Sequence, residues 1–293
     1  MEAFAGQLLS GLSIGSVLIL IALGLTFTFG QMGVINMAHG EFIMAGAYTA
    51  YVLQNSLGQD ISLLVAVPVA FAVAGTFGLI LEMVLIRRLY GRPLDTLLVT
   101  WGVSLILQQL ARDIFGAPNV QVRAPQWLGG SVTLAGAQIA ISRMFIMALV
   151  VLCVVGIWLF LNRLPQGARM RAVMQNRQLA SCSGLKTHGI DRMTFFIGSG
   201  LAGIAGVALT LIGSTGPALG TFYIVDAFLV VVVGGLGQVR GAIIAATALG
   251  LLNSFVEFST GASIAKVVVF LAIAAFLQIR PQGMFVMRSR ALT

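Results

Sequence analysis

Long apolar stretches recur along the whole chain, and they constrain its fold more than any other feature. A helix needs about 20 apolar residues to cross the hydrocarbon core of a bilayer. Of the 293 residues, 58% are hydrophobic and only 9% are charged, whereas soluble proteins carry about 25% charged residues. We therefore predict an all-α protein, a polytopic transmembrane helical bundle that forms a single domain over residues 1–293.

The apolar pattern gives nine candidate spans, with an expected range of eight to ten. The segments 96–111 and 222–239 are the least regular, and either could be broken or re-entrant. The nine segments are 7–30, 32–53, 62–86, 96–111, 144–161, 193–213, 222–239, 241–258 and 263–279.

The basic residues predict how these spans are oriented. Membrane proteins concentrate Lys and Arg on their cytoplasmic loops. Most of the 17 Lys and Arg residues lie in 87–92, in 162–192 and after the last span, and an odd number of spans places these three regions on one side. We expect the N-terminus outside and the C-terminus in the cytoplasm.

Two connections are long enough to form structure of their own. The connection 112–143 contains Pro118 and Pro125 and several glycines, and we predict an ordered extracytoplasmic cap or hairpin there. The connection 162–192 is basic, and we predict a helix in its middle, over 169–183, on the cytoplasmic side.

Polar groups inside the predicted spans are the strongest indication of function, because an ionisable group costs roughly 2.5 kcal/mol or more in hydrocarbon. Asn36, His39 and Glu41 lie near the middle of the second span, Thr100 lies in the fourth and Asp226 lies early in the seventh. Such groups usually face a bundle interior or a water-filled path. We predict that these five residues line a path for a polar solute.

Other interpretations of the polar residues remain open. Asn36, His39 and Glu41 could instead tie neighbouring helices together by hydrogen bonds. Gly40 favours a break in the second span, which would aim backbone groups into a cavity. Glu82 and Gln108 lie near the ends of their spans, and we expect both at the membrane interface.

Motifs for catalysis and nucleotide binding are absent from the sequence. There is no G-x-x-x-x-G-K-[ST], so the chain cannot bind ATP through a P-loop. There is no H-E-x-x-H, and the chain has only 2 histidines, so a metal centre or a catalytic triad is poorly supported. We predict that the chain is not an enzyme and has no cofactor of its own, so active transport would draw energy from a partner or an ion gradient.

Four sequence blocks together resemble the permease subunits of bacterial ABC importers for branched-chain amino acids and urea, and the resemblance covers nearly the whole chain. The segments 96–102, 216–228 and 277–285 make the chain most similar to the urea-type permeases. The four blocks are F-G-Q-M-G-V-I-N-M-A-H-G-E-F-I-M-A-G-A-Y (29–48), R-P-L-D-T-L-L-V-T-W-G-V-S-L-I-L-Q-Q (92–109), G-A-R-M-R-A-V-M-Q-N-R-Q-L-A-S-C-S-G-L (167–185) and V-V-G-G-L-G-Q-V-R-G-A (232–242).

The resemblance implies a multi-pass protein of the bacterial inner membrane that imports urea by alternating access. It also implies partners: a second, homologous permease, two cytoplasmic ATPases that use the ATP, and a periplasmic solute-binding protein. The block 167–185 would dock into an ATPase. The residues expected to serve this coupling are Arg169, Arg171, Asn176, Ala180 and Gly184.

The alternatives are a branched-chain amino acid importer of the same family, an ATP-independent urea channel, and an ion-coupled secondary transporter with Glu41 or Asp226 as its proton site. The predicted path carries few Lys or Arg residues, and this favours a neutral solute over an amino acid.

Overall fold

The computed structural model of the chain describes residues 2–134 and 137–285, and helices dominate them. Residues 286–293, which carry Arg288 and Arg290 of the predicted cytoplasmic terminus, lie outside the described residues. The helices of the described part are α1 (Glu2–Met32), α2 (His39–Leu57), α3 (Gln59–Val84), α4 (Pro93–Phe115), α5 (Ile141–Arg163), α6 (Pro165–Gln175), α7 (Arg177–Cys182), α8 (Thr187–Thr210), α9 (Leu219–Gly234), α10 (Val239–Thr260) and α11 (Ala262–Ile279).

Each of the nine predicted spans overlaps one of these helices, so the prediction of a polytopic helical bundle is confirmed. Seven helices are long and apolar enough to cross a membrane: α1, α3, α4, α5, α8, α10 and α11. The other two are special cases. Helix α9 has only 16 residues, and α2 carries His39, Glu41, Gln54 and Asn55, which lower its hydropathy.

The second span is broken, but not where the sequence suggested. Residues 33–37 are not helical. Gly33 follows the last residue of α1 and has φ +64°, a left-handed backbone conformation that glycine adopts without strain. Gly40 lies inside α2 and does not break it. The expectation of a break at Gly40 is therefore wrong, since the chain bends before α2 begins.

The helices on either side of α5 form an inverted repeat. The first half runs α1, a break, the short α2, then α3 and α4, and the second runs α8, a break, the short α9, then α10 and α11. Helix α3 packs on α8, and in the same way α10 packs on α1. The two halves also meet where α1 contacts α8 and where α2 contacts α9. Gln31 meets Thr194 and Gly24 meets Gly198, so α1 and α8 are antiparallel.

Close backbone contacts at glycines hold this arrangement together. The central helix α8 is buried along most of its length, against α1, α2 and α3. A Cβ built at Gly46 of α2 would overlap the carbonyl oxygen of Gly203 in α8, and one at Gly206 would overlap the carbonyl oxygen of Ile43. Small residues allow membrane helices to approach this closely, and van der Waals packing then stabilises them.

The two ends of the bundle carry different structures. At one end, which we call the hairpin end, β1 (Ser131–Leu134) pairs antiparallel with β2 (Ala137–Ala140), as the sequence predicted for 112–143. Val120 also pairs with Thr215 there. The opposite end, the coupling end, carries α6 and α7, so the helix predicted over 169–183 is divided at Asn176.

We predict that Gly46→Ala destabilises the bundle by about 1–3 kcal/mol, because the added methyl group would overpack the contact between α2 and α8. Gly156→Ala in α5 is the matched control, since nothing lies within 4 Å of a Cβ built there. Thermal unfolding of the purified variants in detergent measures the difference. Equal midpoints for the two variants would contradict the packing argument.

Candidate functional site

Two half-helices begin next to each other inside the bundle. Gly40 in the first turn of α2 packs against Gly220 in the first turn of α9, and a Cβ on either residue would clash with the backbone of the other. The ring nitrogen Nε2 of His39 lies 3.1 Å from the carbonyl oxygen of Ile21. Ile21 lies about 16 Å along α1 from its end at Met32, so α2 begins near the middle of the bundle.

The Glu41 carboxylate connects these half-helices to α4. Its Oε1 accepts hydrogen bonds from Ser104 Oγ at 2.8 Å and from Gln108 Nε2 at 2.9 Å. Gln108 Nε2 also lies 3.0 Å from Thr221 Oγ1 in the first turn of α9. Glu41 Oε2 is buried and has no hydrogen-bond partner among the described residues. The carboxylate of α2 therefore contacts α4 directly and α9 through Gln108, and it keeps one oxygen free.

Helix α4 supplies these partners from a polar stripe along one face. We call it the α4 stripe, and its members recur every four residues, which places them on one side of the helix. All of them are buried, whereas much of the remaining surface of α4 is apolar and exposed. The stripe consists of Thr96, Thr100, Ser104 and Gln108.

Thr100 holds the non-helical segment that precedes α2. Its Oγ1 accepts a hydrogen bond from the backbone nitrogen of Met37 at 3.0 Å and lies 2.7 Å from the carbonyl oxygen of Thr96. The neighbouring Asn36 is fully buried, and neither polar atom of its side chain has a partner among the described residues. Thr100 and Glu41 thus meet at the α4 stripe, and Asn36 lies in the segment that Thr100 holds.

The remaining path residues lie elsewhere. His39 is fully buried against α1, where it contacts the backbone of Ile21. Asp226 lines a separate cavity at the hairpin end, between α1, α9, α10 and α11. The five residues predicted to line one path therefore occupy three places. Gln108 is buried and bonded to Glu41, so the expectation that it lies at the interface is wrong.

A second polar cluster joins α7 to the bundle at the coupling end. Arg177 donates to the buried carboxylate of Asp191 in α8 through Nη1 at 2.9 Å and Nη2 at 2.5 Å. Gln31, one residue before the end of α1, donates to Asp191 Oδ1 at 3.0 Å and accepts a hydrogen bond from Thr194. The hydrogen bonds with Asp191 raise the pKa of Arg177, so the guanidinium stays protonated.

Tyr90 and Glu82 extend this cluster to α3. The Tyr90 ring lies 4.9 Å from the Arg177 guanidinium carbon, and its hydroxyl donates to Glu82 Oε1 at 2.8 Å. Burial and the Asp191 and Glu82 carboxylates raise the pKa of Tyr90, which keeps the phenol neutral. Arg192 lies 3.7 Å from Glu82 Oε2. Glu82 lies two residues before the end of α3 and is fully buried, so its carboxylate faces Tyr90 and Arg192 and is not exposed.

The residues proposed for coupling shape α6 and α7. Asn176 caps α7 by accepting a hydrogen bond from the backbone nitrogen of Leu179 at 3.0 Å. Gly184, with φ +82°, ends α7, and Leu185 then donates to the carbonyl oxygen of Ala180 at 3.1 Å. Ala180 is buried, so within the described residues its side chain packs inside the protein.

The two arginines of this set lie on the surface. Arg171 donates to Asn162 Oδ1 at 2.6 Å. Arg169 lines an exposed groove of about 390 Å³ with Gly184 and Lys186. Both side chains are therefore accessible to a partner, whereas Arg177 is turned toward the bundle.

Acidic and sulfur ligands do not gather into a metal site. No group of three or more His, Cys, Asp or Glu side chains could hold a metal ion within residues 2–134 and 137–285. The buried carboxylates instead accept hydrogen bonds or form salt bridges.

Comparison with known proteins identifies the family. The family described as branched-chain amino acid transport system / permease component matches residues 7–277. The chain belongs to this family of membrane transport permeases. It is 31% identical to the high-affinity branched-chain amino acid transport system permease protein BraD of Pseudomonas aeruginosa, over 94% of each chain.

Other relatives support the same membership. The permease is 30% identical to LivH of Escherichia coli, over 96% of this chain and 94% of that protein. It is 24% identical to the ribose import permease RbsC of Escherichia coli, over 82% and 74% of the two chains. No solved structure matches. These names do not support the predicted urea-type subfamily, and they favour transport subunits over membrane enzymes.

We predict that Thr100→Val increases the mobility of the non-helical segment before α2 in this permease. The Met37 amide would lose its acceptor, at a cost of about 1–3 kcal/mol if it stays buried. Hydrogen–deuterium exchange at Met37 should accelerate. Thr76→Val is the control, because Thr76 is exposed and bonds only to Ala72 of its own helix. Unchanged exchange at Met37 would contradict this role of Thr100.

Proposed function

We propose that the chain is the transmembrane permease subunit of a binding-protein-dependent ABC importer, and that it moves branched-chain amino acids across the bacterial inner membrane. The family match over residues 7–277 carries this proposal. The amino acid is favoured over urea because BraD and LivH, which align over nearly the whole chain, are named for branched-chain amino acids.

The site offers groups that suit an amino acid. The N-terminus of a helix carries a partial positive charge, and broken helices in transporters aim such ends at anionic groups of the substrate. The first turns of α2 and α9 meet at Gly40 and Gly220. The free Glu41 oxygen and the Asn36 amide oxygen could accept from an ammonium group. In our proposal Asn36, Glu41 and Thr100 border the path, and His39 holds α2 in place.

The site is closed in this structure, and transport requires it to open. Gly40 and Gly220 touch, and the polar atoms of Asn36 and Glu41 are buried. We propose alternating access, in which the two halves of the inverted repeat move against each other. The N-terminus and the hairpin end would face outward, toward the binding protein, and the coupling end would face the cytoplasm, as the basic residues suggest.

The coupling end offers a route for the motion. Helices α6 and α7 would dock on an ATPase through exposed residues such as Arg169 and Arg171. Arg177 is bonded to Asp191, and Asp191 to Gln31, which lies shortly before the non-helical segment that carries Asn36. We propose that this chain of contacts, Arg177–Asp191–Gln31, transmits movement of α7 to α1 and to the segment before α2. We call it the coupling relay.

Urea import remains the second candidate. The α4 stripe is made of neutral hydroxyl and amide groups, apart from its partner Glu41, and a small neutral solute with donors and acceptors would suit it. The relative RbsC is named for ribose, which is a neutral solute, so names among the relatives are not confined to amino acids.

We predict that the purified importer, reconstituted in liposomes with the second permease, ATPases and binding protein, takes up labelled leucine in an ATP-dependent manner and excludes labelled urea. Uptake of urea and not leucine would overturn the amino acid proposal. Uptake without ATP would favour a channel, and uptake that collapses with an uncoupler at constant ATP would favour a secondary transporter.

We predict that Arg177→Met lowers the ratio of leucine imported to ATP hydrolysed about fivefold or more. The reason is that this variant removes the hydrogen bonds between Arg177 and Asp191 in the coupling relay. This variant leaves Asp191 buried without its partner, which costs about 3–5 kcal/mol. The double variant Arg177→Met/Asp191→Asn removes the unpaired charge and should recover thermal stability while coupling stays low. Arg163→Met, which changes an exposed arginine at the end of α5, is the control. Recovery of coupling together with stability would show that Arg177 serves folding alone.

A further inference from the structure

A cavity at the hairpin end has a mixed lining. It encloses about 550 Å³ between α1, α9, α10 and α11, which falls in the range of about 300–1,000 Å³ typical of small-molecule sites. Aliphatic side chains form much of its wall, among them Val17, Leu18, Leu249 and Ile273. The cavity also touches Leu219, in the first turn of α9, so it reaches from the hairpin end to the point where the half-helices begin.

Two opposite charges lie in this lining. Of the described residues that line the cavity, Asp226 and Lys266 are the two that carry charge. Asp226 is half-buried on α9, Lys266 is exposed near the start of α11, and neither forms a salt bridge within the described residues. A half-buried carboxylate at an apolar wall is costly unless it is paired, so Asp226 favours a ligand with a cationic group, and Lys266 offers a partner for an anionic group of the same ligand.

We propose that this cavity binds the zwitterion of an aliphatic amino acid on one side of α9, before it reaches Glu41 and the α4 stripe. The Asp226 carboxylate pairs with the ammonium group of the ligand, the Lys266 ammonium pairs with its carboxylate, and the aliphatic wall holds the branched side chain. This inference rests on the proposed function and extends it, because it assigns Asp226 to an entry site that is separate from Glu41 and the α4 stripe.

The inverted repeat supports the placement of the site. The corresponding position in the first half lies between α8, α2, α3 and α4, and there Gly46 packs directly on Gly203 of α8. The two halves have the same helix order but differ in packing. Helix α9 contacts α1 less extensively than α2 contacts α8, and the cavity lies between α9 and α1. Because Ser214 and Gly216 at the hairpin end are part of the lining, a solute that enters there would reach the cavity without opening the contact of Gly40 with Gly220.

The test is equilibrium binding of labelled leucine to the purified importer complex without its binding protein, in nanodiscs. Competing ligands are unlabelled leucine, isocaproate, which lacks the ammonium, and isoamylamine, which lacks the carboxylate. Wild type should prefer leucine to both analogues. Asp226→Asn should bind leucine about tenfold or more weakly and lose its preference over isocaproate. Lys266→Met should instead lose its preference over isoamylamine.

The pattern of selectivity separates this site from general damage. Asp113→Asn, which changes an exposed carboxylate of α4 outside the cavity lining, is the control and should keep the wild-type ranking. An unchanged ranking in both cavity variants, or no displaceable leucine binding in wild type, would overturn the entry site. Loss of co-purified phosphatidylethanolamine from Asp226→Asn, without leucine binding, would assign the cavity to a lipid headgroup and also overturn it.

The outcome for this site is distinct from that for the proposed function. If wild type imports leucine with ATP while the cavity variants keep their ranking, the entry site fails and the importer stands. If wild type imports urea and no leucine, the amino acid proposal itself fails.

Discussion

Direct contact between helix backbones is the interaction on which this bundle depends. Lipid is as apolar as the helix surfaces, so burial of apolar area contributes little to the association of helices in a membrane, and close packing must stabilise it. Gly24 meets Gly198, Gly46 meets Gly203 and Gly40 meets Gly220. These contacts fix α8 at the centre and bring the two half-helices together. A side chain at any of them would separate the elements that form the site.

The broken helices create polar requirements that α4 meets. A chain that leaves the helical conformation inside a bundle exposes backbone groups that water cannot reach, and other protein groups must satisfy them. Thr100 accepts from Met37, and Ser104 and Gln108 donate to Glu41. The same residues therefore stabilise the break and, in our proposal, border the path of the solute. Gln31, near the end of α1, binds Asp191 of α8, which in turn binds Arg177 of α7.

Prediction from the sequence succeeded where a local pattern was sufficient. Apolar length located the nine helices that correspond to the predicted spans, and prolines and glycines indicated the hairpin between α4 and α5. Prediction failed where a residue's partner is distant along the chain. Glu82 was expected beside Arg87 and Arg88, yet its carboxylate is buried near Arg192 of α8. Urea was favoured on short blocks and on the scarcity of basic residues, a weaker basis than nearly full-length relatives.

By itself, the sequence determined that the chain is a membrane-embedded helical bundle with polar residues in its second span, because hydrocarbon leaves few other options for so many apolar residues. It also carried a clue that was missed, since glycine-interrupted segments lie at matching places in the two halves. Only the tertiary structure decided that Glu41 faces the α4 stripe, that His39 faces α1 and that Asp226 faces a separate cavity. The reason is geometric: the direction of each side chain follows from how the half-helices cross, and that crossing depends on contacts between residues far apart in the chain.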